Sequence, residues 1–493
     1  MSTTIRTLGE LKKSGWKSQS VKDELRTNLI RKLKSGEDIF PGILGYDKTV
    51  IPQLQNAILS RHDLLLLGLR GQAKTRILRS LVYLLDDEIP IIDGSQVHDN
   101  PLAPITKFGR ERVAQMGDDT PVRWIGRDAR YGEKLATPDT TVADLIGDID
   151  PIKAARERLT LADQEVINFG LIPRTNRGIF VINELPDLQP RIQVALLNIM
   201  QERDIQIRGF NVRIPLDLFV AFSANPDDYT NRGNIITPLK DRIDSQIITH
   251  YPKQTDIAVE ITRQEAWADR ASDVSVSIPE LYRTVIEEVA FEARKSDYID
   301  QKSGVSTRLS ITAMEQAVSS AENRAIRNGE AETTLRMTDL FHMVPALTGK
   351  LELVYEGEQE GAVSVAKHLL GKAILNVFKA RFPDPRPPSE EVKSPYKGIL
   401  DWFNQGNTLH VKGDASNEAY QKSLRAVQKL ESIAENLRND NDLLAVMDFL
   451  VEALHQKSMI GKEEMDDETL YSDMLGSMLG GMDAFESGED DIS

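Results

Sequence analysis

Leu64-Leu-Leu-Leu67-Gly68-Leu-Arg-Gly71-Gln72-Ala73-Lys74-Thr75 is the stretch on which the fold turns. A short unbroken apolar run ending in glycine suits a strand buried on both faces, and Arg76 to Leu85 then carries apolar residues at helical spacing. A turn with glycines between strand and helix lets consecutive N–H groups and the helix N-terminus face a polyphosphate. It also brings Lys74 within reach of the β and γ phosphates and offers the Thr75 hydroxyl to Mg²⁺. Ala73 is the one departure from G-x-x-x-x-G-K-[ST]. An ordinary strand-to-helix turn with an incidental lysine would carry the same letters, so the reading leans on the rest of the chain.

Two more apolar runs follow, Gly178-Ile-Phe-Val-Ile182 and Leu218-Phe-Val-Ala-Phe222. Buried strands spaced by helical segments predict an α/β layered fold with a parallel sheet. Each run ends in polar residues, Asn183-Glu184 after the first and Ser223-Ala224-Asn225-Pro226 after the second. Ligands of parallel sheets bind at the carboxyl ends of strands, where these side chains emerge. Glu184 is the candidate for polarising an attacking water, and the Asn225 amide for orienting it. Asn183 stands where an Mg²⁺-associated Asp is usual. The bland alternatives are a solvated strand end for Asn183-Glu184 and a turn opener for Asn225-Pro226. Ile192, Leu196, Ile199 and Met200 recur at helical spacing, and Ile205 to Ile214 alternates like a hairpin.

At 493 residues the chain is too long for one compact core. Its hydrophobic fraction of 40% and charged fraction of 28% are ordinary for a folded protein. The absence of cysteine excludes disulfides, thiolate metal sites and cysteine nucleophiles, and points to a reducing compartment. The polar N-terminus lacks an apolar signal-like core and the apolar runs are too short to span a bilayer, so no membrane span and a cytoplasmic location are expected. A net charge of −16 argues against a nucleic-acid partner held on a broad basic face. From Glu463 onward there is no Lys or Arg, and that tail carries much of the negative charge.

Punctuation along the chain divides it into a helical lead-in at 1–37, a nucleotide-binding core at 38–254 and a helical lid at 255–355. A helical region at 356–460 follows, broken near 383–395 by Pro383, Pro385, Pro387 and Pro388, and then an acidic tail at 461–493 expected to be disordered or to bind a partner. Thr338-Asp339 reads as a helix cap. The histidines have no partners at metal-ligand spacing, Trp124 and Trp402 read as packing residues, and Arg110, Arg112, Arg123, Arg127 and Arg130 form a basic stretch suited to a subunit interface or pore.

Together these residues resemble AAA+ ATPases of the MoxR and magnesium chelatase subunit I group. Ala before the P-loop Lys is the usual MoxR form, and Ile192 to Arg203 looks like the helix after that family's Walker B strand. Phe169-Gly-Leu-Ile-Pro173, Asn176-Arg177-Gly178 and Thr141 to Ile149 resemble further family segments, and Gly42 to Gly45 the phrase that borders the adenine. The resemblance covers roughly residues 38–350. It implies an AAA+ P-loop core with a helical lid, ATP and Mg²⁺ as cofactors, and nucleotide contacts from Gly45, Gly68, Gly71, Gln72, Ala73, Lys74 and Thr75. Thr75 and Asn183 would hold Mg²⁺. Arg242, in Leu239-Lys-Asp-Arg242, matches the arginine that reaches a neighbouring subunit's nucleotide, and Arg308 the sensor 2 arginine. Either could instead form a surface ion pair.

The resemblance further implies a ring, usually a hexamer, a partner with a von Willebrand A domain, and turnover spent on remodelling a protein client or on metal insertion. Asn183 in place of Asp suggests slow hydrolysis. It supports a second reading, a nucleotide-gated scaffold with little turnover, which a large gain in rate from Asn183→Asp would favour. A DNA-acting AAA+ protein is a third reading, against which stand the acidic balance and the lack of a DNA-binding module.

Overall fold

The computed structural model describes residues 5–157, 166–206, 213–226, 234–386, 394–437, 440, 442–465 and 468–474. The chain falls into two compact units, Met1–Tyr251 and Pro252–Ser493.

The first unit contains helices α1 (Val21–Ser35), α2 (Val50–Leu59), α3 (Lys74–Ser80) and α4 (Pro190–Gln201). Its central sheet has strands β1 (Leu64–Leu67), β2 (Tyr131–Leu135), β3 (Gly178–Asn183), β4 (Leu218–Ala224) and β5 (Ser245–Ile248), in the order β5-β1-β4-β3-β2. Every neighbouring pair in it is parallel. The three inner strands are the ones the apolar runs predict. β2 and β5 are edge strands that carry half-buried Glu133 and Lys134 and exposed Gln246, so neither presents an unbroken apolar run. Leu64, Leu66, Val181 and Ala221 on one face pack with Ile77, Leu78, Leu25 and Leu29. Leu65, Phe180, Ile182 and Phe222 on the other pack with Ile192, Leu196 and Ile199 of α4. The expected hairpin is present as Asp204–Gln206 paired antiparallel with Arg213–Pro215; the residues linking them lie outside the described set.

The lead-in is not separate from this core. Apart from Leu25 and Leu29, α1 places Glu24 in a buried two-pronged pair with Arg130, at 2.7 and 2.6 Å. The first amide of α1, on Val21, donates to the Asp217 carboxylate at 2.9 Å. Lys22 reaches the buried Asp63 at 2.9 Å, and Asp63 accepts from the amide of Val220. Burial presses the Lys22 ammonium below its ordinary pKa, with Asp63 opposing the shift. The basic stretch is therefore divided: Arg130 is a core residue at 1% exposure, while Arg123 and Arg127 pair with Asp93 and Asp87. Trp124 donates to the carbonyl of Ile5.

In the second unit, α5 (Glu280–Ala293), α6 (Arg308–Asn328), α7 (Ala362–Arg381) and α8 (Leu443–Gln456) share one hydrophobic cluster that runs from Leu281 to Tyr471. The expected boundary near residue 355 is thus not a boundary between cores. Trp402 lies in this cluster. Strands also occur where only helices were expected. Ser275–Ser277 pairs parallel with Glu332–Thr334, and β6 (Leu409–Lys412), β7 (Gly461–Met465) and β8 (Glu468–Ser472) form an antiparallel sheet in the order β6-β8-β7. The tail assigned from 461 accordingly begins with sheet: Tyr471 is buried, and Leu409 and Val411 alternate inward along β6. Residues 475–493, Pro387 and Pro388, and most of the expected linker lie outside the described set. Asp339 is not the cap itself but the third helical residue, accepting from the amide of Arg336 at 2.9 Å.

Candidate nucleotide site

The loop Gly68 to Ala73 leaves β1 and enters α3. Gly71 has φ 73°, and Ala73 adopts φ 55°, a left-handed conformation that costs a residue with a Cβ. Gly68 is required by close approach, since a Cβ there would run into the Thr249 hydroxyl and the Gln72 amide. Gln72 turns its side chain inward, 6% exposed, and accepts from Thr249 Oγ1 at 2.7 Å. That side chain braces the loop from within. Two tyrosines hold the loop's carbonyls: Tyr46 donates to Gln72 O at 3.0 Å and Tyr251 to Arg70 O at 2.9 Å. Burial raises the Tyr46 phenol far above its usual pKa, so it stays a donor. Gly45, at φ 78°, turns the chain immediately before Tyr46.

Lys74 begins α3 and is buried. Its ammonium donates to the carbonyls of Gly68 and Leu69 and to Asn225 Oδ1, the last at 2.6 Å. Asn225 Nδ2 in turn donates to Glu184 Oε2 at 2.7 Å. The first residue of α3 and two residues at strand ends thus form one hydrogen-bonded relay. Glu184 has φ 54° and its amide donates to Ser223 Oγ at 3.3 Å, which bends the chain away from β3 as the carboxylate turns to Asn225.

A second relay runs beside the first. Ser223 Oγ donates to Asn183 Oδ1 at 2.7 Å, and Asn183 Nδ2 donates to Glu133 Oε1 at 2.7 Å. Arg79 of α3 closes on Glu133 through Nε and a terminal nitrogen, at 2.8 and 3.1 Å. Hydrogen bonding to Glu133 raises the Arg79 pKa. Thr75, half-buried, lies one helical turn before Arg79 on the same face of α3.

Arg242 is bonded elsewhere in the first unit, to Gln201 Oε1 at 3.0 and 2.7 Å and to Pro238 O at 2.7 Å. Arg308 belongs to the second unit, exposed at the first position of α6, its amide bonded to Ser306 Oγ. Sequence reasoning missed Tyr46, Thr249, Tyr251, Glu133 and Arg79. Their partners are carbonyls or residues on other strands, and the register of an edge strand is not written in a local pattern. Among the described residues no group of three or more His, Cys, Asp or Glu is arranged to hold a metal.

A five-stranded parallel sheet in this order, with a phosphate-type loop between β1 and α3 and polar residues at the ends of β3 and β4, has the layout of an AAA+ P-loop core. The chain resembles the magnesium-chelatase 38 kDa subunit of Cereibacter sphaeroides, with 29% identity over 114 residues. The match takes in 22% of this chain and 33% of that subunit, so it spans only about a third of the relative. No family model matches. Looser likenesses in fold reach one chain of the complex between subunits BchI and BchD of magnesium chelatase, at 19% identity and TM-score 0.34, covering 65% of this chain and 98% of that one. NtrX from Brucella abortus in complex with ATP is similar at 12% identity and TM-score 0.40, covering 72% and 67%. Both are too distant to carry an argument about activity. Among the described residues no helix is long and apolar enough to cross a membrane.

Proposed function

We propose that this chain is an ATP-hydrolysing AAA+ ring subunit. The observation that carries the reading is the unbroken relay from Lys74 through Asn225 to Glu184, which joins the loop lysine to the ends of two parallel strands. Backbone amides of Gly71 to Lys74, at the start of α3, would cradle the phosphates, and Lys74 would transfer its hydrogen bonds to their oxygens. Glu184 would accept hydrogen bonding from the attacking water, with Asn225 fixing the carboxylate's direction. The Thr75 hydroxyl and the Asn183 side chain offer hard oxygen donors that suit Mg²⁺, which characteristically takes few protein ligands beside phosphate and water. Bound Mg²⁺ would neutralise charge on the phosphates. Arg242, tied to Gln201 at the end of α4, is assigned to a neighbouring subunit's nucleotide. Arg308 is assigned as the sensor 2 arginine and Gly45 as the adenine border.

Turnover in a ring, a hexamer on the family pattern, would remodel a protein client or drive metal insertion with a von Willebrand A domain partner in the cytoplasm. The scaffold reading, ATP binding with little turnover, draws support from Asn183, whose amide is engaged on both sides. Steady-state ATP hydrolysis by wild type and Lys74→Ala, over a range of protein concentrations, separates the two. Specific activity that rises with concentration and disappears in Lys74→Ala supports the ring ATPase. Nucleotide binding without turnover moves the protein to the scaffold reading, and absence of nucleotide binding overturns both.

A further inference from the structure

We infer that Glu133 carries the negative charge at the metal position that Asn183 cannot supply. The inference rests on the ATPase reading. In the register of β2 and β3, Glu133 lies opposite Val181 and Leu135 opposite Asn183, so Glu133 and Asn183 share a face of the sheet. That face is the one covered by α3. The carboxylate can only accept, so its 2.7 Å contact fixes the Asn183 amide nitrogen toward Glu133 and leaves the amide oxygen toward Ser223. Arg79 anchors Glu133 to the same helical face that presents Thr75. The carboxylate side chain is 20% exposed, too enclosed to be an ordinary solvated surface group.

The chemistry at residue 183 follows from this neighbour. An Asp there would set two carboxylates within hydrogen-bond distance, where both cannot stay ionised without a proton or a cation between them. An amide instead donates to Glu133 and holds it. The charge is displaced by one strand, from the end of β3 to the adjoining edge strand, with Asn183 as its bracket. No such residue could be found by reading the P-loop and the β3 end alone.

The test is the affinity of the full-length protein for a fluorescent ATP analogue, measured with Mg²⁺ and with EDTA. Wild type should gain affinity with Mg²⁺. Glu133→Gln should lose about 10-fold or more of that gain, keeping its affinity in EDTA. Arg79→Gln, which loosens the anchor but leaves the carboxylate, should lose less of the gain than Glu133→Gln, whereas equal losses in both would reduce Glu133 to an anchor for the arginine and overturn the inference. The exchanged protein, Glu133→Gln with Asn183→Asp, should recover the Mg²⁺ gain. If Glu133→Gln binds no nucleotide even in EDTA, the exchanged protein decides. Recovery supports the inference; binding without a Mg²⁺ gain, or no binding, overturns it. A wild type that binds no nucleotide at all instead removes the ATPase reading, while a Mg²⁺ gain indifferent to Glu133 removes this inference alone.

Discussion

Both units bury polar side chains, and they do so to different ends. In the second, carboxylates are surrounded by donors. Asp448 accepts from the Tyr282 hydroxyl at 3.1 Å and from the amide of Met337 at 2.7 Å, and Glu452 from Tyr471 at 2.6 Å while pairing with Lys462 at 3.1 Å. Arg324 and Asp339 are likewise paired and buried. In the first unit the relays from Lys74 and Arg79 meet at strand ends and beside a loop held open by tyrosines and glycine geometry. Closed networks fix one packing of the helices; relays that terminate at strand ends place charges where a ligand of a parallel sheet would sit.

Substitutions can break this contrast. Glu184→Gln should lower ATP turnover about 10²–10⁴-fold with nucleotide affinity and thermal stability kept. A large fall in melting temperature instead would put Glu184 in the architectural class. Glu452→Ala should do the reverse, since it removes the buried partner of the Lys462 ammonium, 7% exposed, and leaves it only the half-exposed Glu464 carboxylate at 3.5 Å. The expected cost is about 3–5 kcal/mol in denaturant unfolding.

A smaller effect should appear at Glu287, whose pKa burial raises to about 7 from the usual 4.5, with the Thr262 hydroxyl opposing. A carboxyl with a raised native pKa takes up a proton on folding, so its stabilising share is complete below pH 4.5 and is lost as pH rises through 7. Glu287→Gln should therefore gain on wild type between pH 5 and 8 by roughly 1–3 kcal/mol, read from paired unfolding curves. An unchanged difference across that range would place the carboxyl in a wetter site. Smallest is Asp442→Ala, which removes the side chain that accepts from the Ala445 amide at the start of α8 and should cost about 1 kcal/mol.

The inner sheet was legible because β1, β3 and β4 are buried on both faces and so read as unbroken apolar runs. Lys74, Glu184 and Asn225 were legible because each follows such a run. The edge strands were not, since one face and one rim of each meet polar surroundings. Glu133 was invisible for that reason: its meaning lies in its register against β3. β6 did carry a period of two in Leu409-His-Val-Lys412, but four residues are too few to outweigh the helical segments around them. The lead-in looked detached because its partners, Arg130 and Asp217, lie far along the chain.

That last separation has a consequence for biosynthesis. The bond from Val21 to Asp217 spans 196 positions, and Asp217 stands directly before β4. At typical rates of chain elongation, α1 leaves the ribosome roughly 10–40 s before the residue that receives it. Through that interval Leu25 and Leu29, fully covered in the finished protein, lack the strand that completes their cover. A helix made early in the chain is thus among the last to be fully seated, and the nascent chain must keep it from other company until β4 arrives.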